Sequence, residues 1–143
     1  MRYLIAVDGS DSSLRAARFL TEHACPGRGD EVFAMYVFPL PGDPECYDGV
    51  VELPTDASDE RIRRIAAPVL ERAVDALGGI EARVEKVTMM GNPAREIVEF
   101  AMNLRVDLII VGTRGHSPET ELYLGSVSSA IAHRAPCSVL IVR

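Results

Sequence analysis

Lysine is almost absent from this sequence: Lys86 is the only one, and the other basic side chains that carry a fixed charge are arginines. With 15 basic against 21 acidic residues the net charge is -6. The basic footprint that a nucleic-acid binder or an anionic-membrane binder shows in its composition is missing. Small molecules or proteins are the expected partners. Cysteine is scarce too: Cys25, Cys46 and Cys137 are odd in number, widely spaced and free of any C-x-x-C pair. This excludes a disulfide framework and a zinc knuckle and points to a reducing compartment. No stretch approaches the roughly 18 consecutive apolar residues of a membrane span, and the apolar run in MRYLIAVDGS is too short for a signal peptide. The expectation is a soluble cytoplasmic protein with neither nucleic acid nor membrane among its partners.

What remains is a chain of 143 residues, 48% of them hydrophobic, enough for one compact domain over residues 1–143 that buries about two-thirds of its unfolded surface. Residues 3–7, YLIAV, form a short continuous apolar run of the kind found in parallel strands buried on both faces. The run stops at Asp8-Gly9, where Ser10, Asp11 and Ser12 offer cap oxygens to a helix carrying Leu14, Ala17 and Leu20. A second strand is predicted over 32–38. The segment 39–57, rich in proline, glycine and acids, cannot be one regular element, and a loop of this length is expected to be functional or mobile. Ser58 can cap a helix whose stripe is Ile62, Ile65, Ala66, Val69, Leu70, Ala73 and Leu77. Pro68 conflicts with it, because an interior proline loses one backbone hydrogen bond and crowds the preceding turn, so a kink or a later start is expected.

Gly78-Gly79 ends that helix, and 82–89 reads as a less apolar strand near a sheet edge. Asn92 and Pro93 then make a helix start, proline standing where its missing N–H costs nothing, and Ile97, Val98, Ala101 and Leu104 supply the apolar stripe. DLIIVG, residues 107–112, is the cleanest buried strand. A short helix follows Gly125-Ser126, and SVLIVR, residues 138–143, closes the chain as a fifth strand. Strand and helix alternate, so the fold class is α/β: an open five-stranded parallel sheet of Rossmann-like type with helices on both faces. In such sheets ligands lie beyond the carboxyl ends of the strands at the switch in chain order. An order of 3-2-1-4-5 brings Asp8, after strand one, and Gly112, at the end of strand four, to that crevice.

The stretch 111–126, VGTRGHSPETELYLGS, raises two readings. A phosphate site needs inward-pointing amides, a backbone that can approach closely, and a helix N-terminus aimed at the anion. Gly112 allows a sharp turn off the strand, Gly115 removes an obstructing Cβ, and Gly125 with Ser126 opens the last helix, where Ser128 and Ser129 can add contacts. The other reading is a surface loop whose glycines only satisfy turn geometry, and spacing leaves both open. The better-known signatures are absent. There is no G-x-x-x-x-G-K-[ST], and VDGSDS lacks G-x-G-x-x-G. A phosphate-accepting receiver domain would need neighbouring acids after strand one, an aspartate after strand three and a lysine after strand five, none of which is present. His23, His116 and His133 are dispersed, and the serines near 126 lack a G-x-S-x-G setting.

Gly112, Gly115, Gly125 and Ser126, spaced G-x-x-G, nine residues, G-S, resemble the ATP-binding signature of the universal stress protein family. IAVDGSDSS, GNPAREIVEFA, DLIIVGTRG and APCSVLIVR fit that family in the same order, so the resemblance covers essentially the whole chain. It implies the strand order 3-2-1-4-5 and the ATP-binding subclass. It would place Asp8 near the ribose or adenine, Val37, taken as following strand two, against the adenine ring, and Gly112, Gly115, Gly125, Ser126 and Val127 around ribose and phosphates. Arg114, in the variable pair between the first two glycines, is a candidate charge contact. Mg or Mn bridging the phosphates is compatible with this, although no cluster of carboxylates provides a protein-only metal site. The resemblance also implies homodimers, and the apolar final strand, 138–143, is an edge that pairing with a second copy would cover. The expected function is a nucleotide-dependent stress-response or regulatory module with protein partners that the sequence does not name. A slow ATPase or phosphotransferase and a nucleotide-free dimeric interaction module are the alternatives; against the enzyme, no lysine lies near the phosphates and no general base stands out.

Overall fold

The computed structural model describes residues 1–40, 59–113 and 124–143. Most of the 39–57 loop, Ser58, and the stretch 114–123 with Arg114, Gly115 and His116 lie outside the described residues. Five strands, β1 (Arg2–Ala6), β2 (Glu31–Phe38), β3 (Arg83–Met90), β4 (Leu108–Gly112) and β5 (Ser138–Val142), run parallel in the order β3-β2-β1-β4-β5. The helices are α1 (Asp11–Phe19), α2 (Asp59–Leu77), α3 (Pro93–Asn103) and α4 (Ser126–Arg134). The expected fold class is the observed one.

Alternation along the strands divides the core into two layers. Tyr3, Ile5, Val32, Ala34 and Ile110 face α1 and α2, where Leu14, Ala17, Leu20, Ala66, Leu70, Ala73 and Leu77 meet them. Leu4, Ala6, Phe33, Met35, Val37, Ile109 and Val111 pack on the other side with Ala94, Ile97 and Ala101 of α3 and Ile131 of α4. Leu4, Ile5, Ile109 and Ile110 are completely buried, and each such side chain contributes about 1.5–3 kcal/mol relative to exposure. That is why the central strands β1 and β4 read as unbroken apolar runs. The outer strand β3 is largely exposed, as its mixed composition predicts.

The local signals at helix ends are met. Ser10 caps α1 by accepting from Ser13 N, and Asn92 caps α3 by accepting from Arg95 N, with Pro93 in the first turn. Gly78 and Gly79 both take positive φ after α2, the left-handed exit that glycine allows. Two details differ from expectation. The helix around Pro68 does not start later but runs from Asp59 through the proline to Leu77. Pro68 and Arg64, whose carbonyl loses its partner, are both exposed, while Ile62 and Ala66 before it and Leu70, Ala73 and Leu77 after it are buried, so tertiary packing overrides the local conflict. Ile65, expected in the same stripe, is exposed instead. And α1 does not end in an ordinary turn: Leu20–Ala24 form a π-helical turn closed by Cys25 N donating to Leu20 O, with Cys25 left-handed at φ 45°.

Candidate nucleotide site at the carboxyl ends of the strands

β1 and β4 are neighbours in the sheet and their connections leave in opposite directions, so a crevice opens beyond their carboxyl ends. Asp8, half-buried, stands where β1 delivers it. Its Oδ1 accepts from Ser10 N at 3.0 Å and Ser10 Oγ at 2.6 Å. Gly9 has φ +86°, and α2 reaches the same turn: Val69 lies against Gly9, and an Arg72 guanidinium nitrogen donates to Gly9 O at 3.4 Å.

Gly112 is required for a different reason from the one its position suggested. It continues β4, paired with Val142, and is not among the residues with positive φ. A Cβ on Gly112 would lie 2.5 Å from Ser12 Oγ, 2.8 Å from Ser12 C and 2.9 Å from Ser12 O. The first turn of α1 is packed onto the end of β4 so closely that only glycine fits. Ser12 Oγ is buried there with no hydrogen-bond partner among the described residues.

After Gly112, Thr113 N donates to Val142 O at 2.9 Å, and Thr113 O accepts from Gly125 N at 2.8 Å and from Ser128 Oγ at 2.9 Å. The two ends of the glycine loop are thereby clasped at the start of α4. Ser128, 2% exposed, spends its hydroxyl proton on Thr113 O and Gly125 O, so of the added contacts expected from Ser128 its amide is the donor that remains. Gly125 is the N-cap of α4, extended at φ -62°, ψ 157°, and offers no side chain to the helix. The first backbone bond of the helix is Ser129 N to Gly125 O, so the amides of Ser126, Val127 and Ser128 precede the ladder. Among the described residues nothing caps them, and the positive end of the helix dipole coincides with them. Ser126 is exposed, whereas Val127 packs its side chain against the α3 and α4 core and presents its amide.

Val37 lies within β2 rather than after it, with its side chain in the core layer beneath α3. Tyr36, beside it, is a residue the sequence reading passed over. Burial raises the Tyr36 hydroxyl pKa, and the nearby Asp8 charge raises it further. A tyrosine inside an apolar strand carries no sequence signal of that proximity. Among the described residues no group of three or more His, Cys, Asp or Glu could hold a metal ion, and no helix is long and apolar enough to cross a membrane.

The model of the universal stress protein family matches residues 1–143. This chain belongs to the universal stress protein family. Universal stress protein YxiE of Bacillus subtilis is 32% identical across 99% of this chain and 98% of its own length. Among solved structures, the universal stress protein from Archaeoglobus fulgidus in complex with dAMP superposes with a TM-score of 0.69 at 27% identity, covering 100% of this chain and 98% of that one. A universal stress protein in complex with cAMP gives 0.66 at 26% identity, covering 100% and 96%. Adenine nucleotides are therefore ligands of two relatives in this fold.

Proposed function

We propose that this chain is a single-domain, ATP-binding regulatory protein that holds its nucleotide across the carboxyl ends of β1 and β4. The observation that carries the reading is the start of α4: a helix N-terminus whose cap is glycine, clasped beside Gly112 and without a side-chain acceptor among the described residues. Such a terminus suits a phosphate. The dAMP- and cAMP-bound relatives support an adenine nucleotide as its source. In this reading Gly112, Gly115, Gly125, Ser126 and Val127 surround ribose and phosphates through backbone amides and the Ser126 hydroxyl, with Arg114 adding charge. Asp8, an acceptor, takes the sugar hydroxyls. The adenine lies toward the end of β2 near Val37, and Mg or Mn accompanies the phosphates. The reading is regulatory rather than catalytic because the only lysine is committed elsewhere: Lys86 on β3 is paired with Glu71 of α2.

The same reading includes a homodimer formed through β5. The two sheet edges differ in the way that pairing requires. β3 exposes Arg83, Glu85 and Lys86, charges that discourage strand addition. β5 carries Val139, Leu140 and Ile141 only half-buried and has no charge before Arg143.

The test is direct. Freshly purified protein is denatured and the supernatant examined for adenine nucleotide by absorbance and chromatography; ATP is then titrated into the stripped protein with and without Mg. Released nucleotide or saturable ATP binding is expected. Absence of both sinks the reading, and steady accumulation of ADP would move it to the slow ATPase.

A further inference from the structure

We propose that Ser10 is a positioning residue of this site: through its amide and hydroxyl it sets the orientation in which the Asp8 carboxylate meets the sugar of the nucleotide. The inference rests on the nucleotide reading above and adds to it a residue that does not itself touch the ligand. A serine hydroxyl has one proton to donate and lone pairs to accept with. Here the proton goes to Asp8 Oδ1 over 2.6 Å, within the charge-assisted range, while the oxygen accepts from Ser13 N at 3.2 Å as the cap of α1. The Ser10 amide donates to the same Oδ1 at 3.0 Å. Two donors from one residue fix the rotation of the carboxylate. Ser10 itself is 9% exposed and is braced by Ser13 Oγ donating to Ser10 O at 2.9 Å. The orientation of Asp8 is thus inherited from the start of α1, and an acceptor set in advance binds without the ordering cost a mobile carboxylate would meet.

A double-mutant cycle separates this role from a purely structural one. AMP is titrated calorimetrically into wild type, Ser10→Gly, Ser10→Ala, Ser10→Thr, Asp8→Ala and Asp8→Ala/Ser10→Gly, and each is melted in parallel. Glycine is nearly as good a cap as serine and alanine is not, so the two variants differ in stability but share the loss of the hydroxyl. Both are expected to weaken AMP about tenfold, the scale of one hydrogen bond to a charged group. Ser10→Thr, which keeps the hydroxyl, stays within about threefold of wild type, and Ser10→Gly changes affinity less than about twofold once Asp8 is alanine. Unchanged affinity in Ser10→Gly, or an equal loss with and without Asp8, overturns the proposal while leaving nucleotide binding intact. If the wild type binds no AMP, the same series is titrated with ATP and Mg; a wild type that binds neither overturns the nucleotide reading and this proposal with it.

Discussion

At the amino ends of the strands the polar groups pair with one another, whereas at the carboxyl ends one helix start is left without a side-chain cap among the described residues. The amino end is closed by the chain's own charges. The Met1 amine bonds to Asp30, Arg2 Nε to Glu31 at 2.8 Å, an Arg2 guanidinium nitrogen to Leu104 O at 2.7 Å, and Arg2 N to Asp107 Oδ2 at 2.7 Å. Exposed pairs of this kind contribute little individually, about 0–1 kcal/mol, but they leave little there for a ligand to satisfy. At the carboxyl end three helix starts have a described cap position. α1 and α3 bring their own caps, Ser10 and Asn92, and α4 does not. Orphan amides at a helix start are met by side chains, water or a ligand, and in the proposed reading the phosphate is the partner of those at α4.

The comparison can be broken hardest at Gly112. Gly112→Val places a branched side chain where Ser12 backbone already stands, so the first turn of α1 must move off β4. We expect a loss of about 2–3 kcal/mol in urea unfolding together with loss of ATP binding; a variant as stable as wild type would show that the close approach of α1 is not what requires glycine. Asn92→Ala attacks a capped helix at the same end of the sheet. It should cost about 1 kcal/mol yet leave ATP affinity within error, and a parallel fall in affinity would mean that α3 belongs to the site.

The smallest effect is expected at the opposite end. The hydrogen bond from the Met1 amine, then that from Gly27 N, lowers the Asp30 carboxyl pKa below its ordinary value of 3.8. A carboxylate with a depressed native pKa stabilises the fold above its unfolded pKa, and that contribution is lost as pH falls through the native value. Melting curves of wild type and Asp30→Asn should therefore be slightly offset near neutrality and converge below pH 3.8, with ATP affinity at pH 7 the same in both. An offset that persists in acid would assign the effect to something other than this charge.

What could be read from the sequence was local or periodic. The parallel α/β class followed from alternating buried runs and helices, and the strand order from the family resemblance. The helix starts followed from Ser10, Asp11 and Ser12 at α1 and from Asn92 and Pro93 at α3, because a cap is decided within four residues. Of the kink or later start expected at Pro68, the later start does not occur, because local propensity cannot see the packing of Ile62, Ala66, Leu70 and Ala73 around it. The π-helical turn at Leu20–Ala24 left no compositional trace. At the site, the glycine spacing was visible but the reason for Gly112 was not, since it lies in a contact with Ser12, a hundred residues earlier. The hydrogen bonds from Ser10 to Asp8 and from Ser128 to Thr113 were equally hidden, being matters of side-chain direction. Arg114 and Gly115, like most of the 39–57 loop, fall outside the described residues.

Supplying α4 with the cap it lacks is the most direct trial of the central claim. Gly125 is extended at φ -62°, ψ 157°, a conformation open to any residue, and aspartate there would accept from the first-turn amides and place a negative charge where the phosphate is expected to lie. ATP titration into Gly125→Asp should show affinity reduced at least about tenfold while thermal stability holds or rises by a few tenths of a kcal/mol. Unchanged ATP affinity in a folded Gly125→Asp would contradict the account, because the amides of α4 would then not be the ones that hold the nucleotide.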